Sequence, residues 1–377
     1  MPLYRIESGS IFVAVNLSTI FIYGNEIKQG EKTILQCAKT TIGNYDVPYI
    51  PYSSVKGVFK ASHRNIFFRY VVAKYFEIEA EGLTVDDIIE RVIKKLREKQ
   101  KSEQEILKYG KVLAILDLRP PFVGKLPLEI AEFVKEHPYY STFGTGLGYA
   151  GKSKISFTDA LPVYSNVEIL TNPVIRILYD YYEELRKVFP NELPTPPMYR
   201  QDACFRLRTF LRYPIETSKE VKDLLDKVAI EMGLKERETP ITKPVLWDLE
   251  LYTIIATPFI SCIRQTQSIL TKENIGALIL AFSNLNHLGK GKNQWIFVMQ
   301  LKLFEHDSGN KYIIAMLNNP IKGELISKCI KITKKGNEEE IEENPNIIND
   351  FVNAYKNYLK PEEFEKHFEK FKELKKE

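Results

Sequence analysis

The sequence predicts an α+β protein: strands and helices alternate early and late in the chain, mostly helical segments are inserted between them, and the tail is helical. Three observations carry this. Ser10 to Ile22 is dense in β-branched and aromatic residues. Val85, Ile88, Ile89, Val92, Ile93 and Leu96 repeat at helical spacing, and Ile275 to Leu285 reads as a helix leading through a glycine loop into a strand at Gln294 to Phe304. With 377 residues, 44% apolar and 27% charged, the chain has the composition of a globular protein with a sizeable core.

Each element follows from local chemistry. After the strand or bent strand pair at Ser10 to Ile22 comes a looser stretch, Gly24 to Asp46, and then a basic helix. Pro48 and Pro51 hold the chain extended before it, and Ser53 and Ser54 are good N-cap residues for a start near Val55. The stripe from Val85 to Leu96 ends in the charged run Arg97 to Glu105, read as a solvated face. Lys111 to Leu118 and Lys154 to Thr158 read as strands, with the glycine-rich stretch Phe143 to Gly151 between them. Asn172 and Pro173 form an N-cap and first-turn pair for a helix through Val188. Ser218 to Met232 reads as a helix, Val245 to Ile255 as an alternating strand, and Gly289 as the stop of the helix begun near Ile275. Beyond Gly336, Ile348, Phe351, Val352 and Tyr355 mark one amphipathic helix and Phe364, Phe368 and Phe371 another, with stripes that suit a partner or their own core.

A net charge of +4 is small for this length, so any surface for nucleic acid must come from local clusters. In the first, Lys56, Lys60 and Arg64 fall on one stripe of the basic helix, beside Ser53, Ser54 and the helix-start amides, an arrangement suited to phosphates; an ordinary amphipathic surface helix reads the same way. In the second, alternation puts Arg206, Arg208 and Arg212 on one side of a strand and Phe205, Leu207, Leu211 and Tyr213 on the other, which suits a single-stranded backbone or an ordinary half-exposed strand. The third is Gly289, Lys290, Gly291 and Lys292, followed by Trp295 as a stacking face; a helix C-cap with dipole-complementing lysines is the alternative.

Other chemistries find less support. Gly146 to Ser153 satisfies the phosphate-loop pattern of nucleotide triphosphatases, but Ile155 to Asp159 alternates like a strand where that loop needs a helix. The five histidines are scattered singly, and His63 reads as a hydrogen-bonding or phosphate-contacting residue. Cys37, Cys204, Cys262 and Cys329 form no CxxC pair, which argues against a zinc ribbon or disulfide framework. No metal or cofactor is expected. The apolar stretch near the N-terminus is broken by Asn16, Ser18 and Thr19, so the expectation is a cytoplasmic protein with no membrane partner.

Pro48-Tyr-Ile-Pro-Tyr-Ser-Ser-Val-Lys-Gly57, Phe143-Gly-Thr with Ile155-Ser-Phe-Thr-Asp-Ala160, and Gly289-Lys-Gly-Lys292 together resemble the RAMP superfamily of CRISPR-associated proteins, above all the backbone subunits of type III effector complexes. The order of the three motifs matches, although they occupy only short parts of residues 48 to 292. Tyr52 stands where the family block carries glycine, and the late loop is shorter than the family's glycine runs.

The resemblance implies a ferredoxin-like, RNA-recognition type core over residues 1–305, interrupted by insertions at 76–140 and 163–245 that form a thumb and lid, with a C-terminal extension at 306–377. It further implies guide RNA, and possibly target RNA, as ligand, with other RAMP subunits and a large subunit as partners. Lys56, Lys60 and the glycine loop would hold guide phosphates, and the arginine strand would be a thumb. Cutting members use an aspartate upstream of the proline block; here that place reads as Gln36-Cys37, which predicts a non-cleaving subunit. The alternative is a metal-dependent endoribonuclease using Glu26, Glu31 or Asp46.

Overall fold

Alternation at the N-terminus produces β1 (Leu3–Ile6) and β2 (Ile11–Asn16). The computed structural model describes residues 2–29, 32–117, 128–144, 152–212, 219–231, 245–266, 269–289, 293–335 and 338–374. The stretch expected to be loose holds two hairpins, β3 (Tyr23–Gln29) with β4 (Lys32–Cys37), and β5 (Lys39–Ile42) with β6 (Tyr45–Pro48). Helix α1 (Tyr52–Phe67) follows Pro51 and runs on through a π-helical turn at Phe68–Ala73.

Four helices follow, α2 (Val85–Glu98), α3 (Glu103–Asp117), α4 (Leu128–Glu136) and α5 (Pro138–Phe143). The strand expected at Lys111 to Leu118 is, as far as Asp117, the second half of α3. A short apolar run is ambiguous between buried strand and buried helix. What decides it lies upstream: Ser102 and Glu105 exchange side-chain and backbone hydrogen bonds as a capping box, and the helix so started carries through. The charged run Arg97 to Glu105 is therefore no single solvated face. It contains the end of α2, a turn with Gln100 at φ 54°, and the start of α3.

Strands β7 (Ile155–Phe157) and β8 (Leu161–Pro162) are followed by α6 (Val167–Leu170), α7 (Pro173–Val188), α8 (Gln201–Cys204), β9 (Phe205–Arg212), α9 (Lys219–Glu231) and β10 (Val245–Tyr252). Helix α7 starts as its sequence predicts, with Asn172 Oδ1 accepting from the Val174 and Ile175 amides. Next come β11 (Pro258–Gln265), β12 (Leu270–Thr271), α10 (Lys272–Ser283) and β13 (Trp295–Glu305). Helix α10 ends before Gly289. The buried Asn318 amide donates to Phe282 O in its last turn and to Leu285 O just past its end, and Gly289 (φ 85°) lies in the turn beyond. Three strands absent from the sequence reading follow, β14 (Lys311–Asn319), β15 (Glu324–Lys335) and β16 (Glu338–Glu343), then α11 (Asn346–Lys356) and α12 (Glu362–Phe371).

The main sheet runs β16-β15-β14-β13-β2-β11-β7, with β1, β8 and β12 at its margins, and its pairs are antiparallel. The units β2–α1–β7 and β11–α10–β13 interleave, so β2 and β11 lie side by side at its centre. On one face Phe59 of α1 packs against Phe12 and Phe157. The other face is covered as well. Lys302 lies over the Tyr181 ring, and Lys328 lies over Phe189 and donates to Val188 O. Every residue of β2 is buried in consequence, so the central strands offer no open face to a ligand.

A second sheet, β3-β4-β10-β9, joins the first through the Ile20–Tyr252 bridge and the Tyr164–Tyr252 hydroxyl pair. The tail helices cover the protein's own core. Phe351, Phe364 and Phe371 are buried, each burial worth about 1.5–3 kcal/mol. Helix α11 approaches α10 closely only because position 276 is glycine, where a Cβ would lie 2.0 Å from Phe351 O. No described helix is long and apolar enough to cross a membrane.

Candidate nucleic-acid interface

The block that opens α1 folds one turn earlier than its serines suggest. Pro51 occupies the N-cap, and Asp159 Oδ1 accepts the Tyr52 amide at 2.7 Å, so the side-chain cap comes from the segment after β7. Ser53 and Ser54 become exposed first-turn residues. The Ser54 and Val55 amides turn back to Pro51 O. The expectation that the helix start keeps its amides for an outside anion is corrected to that extent.

Farther along α1, Lys56 Nζ donates to Ser153 Oγ at 3.0 Å, and burial lowers its pKa. Lys60 is pushed down to about 8, first by burial and then by the neighbouring Lys56 charge. Among the described residues neither ammonium forms an ion pair. Two like charges kept half-buried and adjacent carry a cost that a bound anion would relieve. Arg64, the third residue of the stripe, is placed differently: its Nε lies 3.2 Å from Asp117, whose side chain is 1% exposed.

Ser153 closes the glycine-rich stretch, of which residues 145–151 lie outside the described residues. The segment that follows is strand β7 and not a helix, so no helix N-terminus stands where a triphosphatase would hold its phosphates. His63 is corrected from a hydrogen-bonding or phosphate-contacting residue to a core one, stacked on Tyr139 with ring centroids 3.7 Å apart. Burial holds its pKa well below the ordinary histidine value.

Arg206 and Arg208 stand exposed on β9, which among the described residues pairs only with β10, at the edge of the small sheet. The Arg212 backbone pairs with Val245, and its side chain lies outside the described residues. On the opposite side of the strand Leu207 is 60% exposed. Sequence reading also overlooked Phe210, which shares the arginine face at 43% exposure, and Trp247 directly across from it. Period-two spacing from Arg208 was the signal for Phe210.

Lys290, Gly291 and Lys292 lie outside the described residues. Trp295 is 2% exposed and packs against Phe259 and Phe297, so it offers no stacking face. Gln294 bonds to Leu17 and Ser18 and so lies at the Asn16 end of β2. Ser153 lies at the other end, beside Thr266 just past β11. Because β2 and β11 are antiparallel, the two regions are separated by about 25 Å, the length of an eight-residue strand. The small sheet attaches at the Asn16 end, so Arg206 and Arg208 stand apart from Lys56 and Lys60.

Of the acids considered for cleavage, Glu26 lies on β3, Asp46 lies on β6 and accepts from Thr41 Oγ1 at 3.0 Å, and Glu31 falls outside the described residues. Cys37 is buried, which pushes its thiol up to about 12. Beside it stands a carboxylate that sequence reading missed: Glu250 accepts the Cys37 amide at 3.1 Å and the Lys39 ammonium at 2.7 Å. It comes from 213 positions away, so nothing near Cys37 in the sequence signals it. Among the described residues no group of three His, Cys, Asp or Glu could hold a metal ion.

No family model and no curated protein matches the chain. Among solved structures it is similar to a chain of one titled "Type IV-B CRISPR Complex", with TM-score 0.37 and 13% identity over 77% of this chain and 89% of that one. It is also similar to Csc2 of Thermofilum pendens, with TM-score 0.31 and 12% identity over 81% of this chain and 68% of that one.

Proposed function

We propose that this chain is an RNA-binding structural subunit of a type III CRISPR interference complex, holding the guide backbone without cutting it. The observation that carries the reading is the pair Lys56 and Lys60, half-buried and lacking an acid partner among the described residues. The three RAMP-like motifs support it. The interleaved units and the order β13-β2-β11-β7 support a ferredoxin-like core within residues 1–305, with 76–140 and 163–245 as insertions and 306–377 as an extension. Since both faces of the central strands are covered, RNA would run along α1 and the β7 edge rather than across the sheet. Glu250, already held by Lys39, supports a non-cleaving role. Neighbouring RAMP subunits and a large subunit would complete the cytoplasmic assembly.

Ultraviolet crosslinking of the purified assembly, with mapping of the peptides attached to RNA, tests this. Crosslinks on α1 and near Ser153 are expected. Crosslinks confined to α2 or to the tail helices would contradict it, and magnesium-dependent cutting by the chain would overturn its non-cleaving part.

A further inference from the structure

Asn274 makes more bonds than the cap of α10 requires. It is 1% exposed and stands at the third helical position, where it closes a capping box with Thr271, whose amide and hydroxyl both donate to Asn274 Oδ1 at 3.1 Å. A cap of this kind asks nothing of the rest of the fold. Here Oδ1 also accepts the half-buried Lys154 ammonium at 3.0 Å, and Nδ2 donates into α5, to Pro138 O at 3.1 Å, Ser141 Oγ at 3.1 Å and Thr142 Oγ1 at 2.8 Å. The orientation of the amide is fixed by these partners, since the Lys154 ammonium can only donate and the Pro138 carbonyl can only accept.

Both segments held in this way lead to the two lysines of α1. Lys154 follows Ser153, whose Oγ takes the Lys56 ammonium and whose carbonyl accepts from Thr266 Oγ1 at 2.6 Å. From α5 the Tyr139 hydroxyl donates to Lys60 O at 2.9 Å. The Lys154 amide donates to Ser141 O at 2.8 Å, so α5 and the lead-in of β7 are also joined directly. We infer that Asn274 is a positioning residue for the phosphate contact of Lys56 and Lys60, holding the two supports of that pair at a fixed separation from inside the core. The inference deepens the RNA-binding reading and rests on it. Phosphates recur along a strand at a set spacing, so cations whose supports are locked by buried hydrogen bonds meet them with less loss of freedom than unsupported lysines.

The test is a double-mutant cycle on the full chain, titrated with a labelled short oligouridine. Asn274→Asp keeps an acceptor for Lys154 and Thr271 but removes both N–H donors to α5. It should weaken oligouridine binding by roughly 2- to 30-fold in the otherwise unchanged chain, and add nothing in a chain that already carries Lys56→Ala with Lys60→Ala. Lys154→Met, which leaves the cap and the α5 bonds in place, should behave in the same way, and it carries the test by itself if Asn274→Asp gives no cooperative urea transition. A loss of equal size in both backgrounds, or no loss from a folded variant, overturns the positioning role, and the RNA-binding reading stands as long as the double alanine chain binds more weakly than the parent. If the double alanine chain binds as tightly as the parent, both fail.

Discussion

Lys56 Nζ reaches Ser153 Oγ at 3.0 Å, a single contact that ties the basic side of α1 to the lead-in of β7. It fixes one ammonium and leaves the next along the helix, Lys60, crowded against it without an acid of its own among the described residues.

That crowding predicts opposite effects on stability and binding. The folded pKa of Lys60, about 8, lies below the unfolded value near 10.5, so the unfolded chain holds more protons between them. The penalty is fully present below pH 8 and is relieved as pH rises toward 10.5. Lys60→Met should therefore raise stability at pH 7 by on the order of 1 kcal/mol in urea unfolding while weakening RNA binding. Lys60→Arg should retain RNA at pH 9, where the parent chain begins to release it.

Close packing of the tail gives a second expectation. A Cβ at position 276 meets the carbonyl oxygen and carbon of Phe351 at 2.0 and 2.8 Å, and backbone atoms cannot swing aside. Gly276→Ala should cost at least the 1–3 kcal/mol typical of overpacking, with α11 released first. Equal unfolding midpoints for the two proteins would show that α11 does not pack as described.

Much of the helical content was legible in the sequence, because caps and stripes are local. Asn172 with Pro173, the Val85 to Leu96 stripe and the Phe364 to Phe371 stripe all behave as read. What escaped was set by distant partners. The run from Lys111 is apolar enough for strand or helix, and only the Ser102–Glu105 capping box upstream settles it. Strands β14 to β16 extend the main sheet although their alternation was not singled out. At the candidate site, the charge of Lys56 and Lys60 was visible but the tie to Ser153 was not. Arg64 looked like their equal until Asp117, from another helix, paired with it.

The buried histidines predict an acid-sensitive tail. His63, His137 and His367 come from α1, the start of α5 and α12, and their rings gather around Tyr355 and Phe133. Tyr139, Tyr140 and Tyr358 also face them, with Lys366, Lys370 and Glu363 at the rim. Burial holds all three pKa values down, to about 4 for His367. Below the unfolded value near 6.5 the unfolded chain takes up protons that the folded one refuses, so stability falls with pH, by about 1.4 kcal/mol per unit for each histidine. Urea midpoints at pH 7, 6 and 5 should drop accordingly, and His367→Phe should reduce the slope by one proton. A flat profile from pH 7 to 5 would contradict the buried, neutral assignment.

The most direct test of the account is the salt dependence of single-stranded RNA binding by the chain and by its Lys56→Ala, Lys60→Ala variant. Each phosphate contact to a single strand contributes about 0.7 to the slope of log affinity against log salt. Losing two cations should therefore weaken binding at low salt and flatten the slope by roughly 1.4. An unchanged affinity with an unchanged slope would show that α1 does not hold RNA.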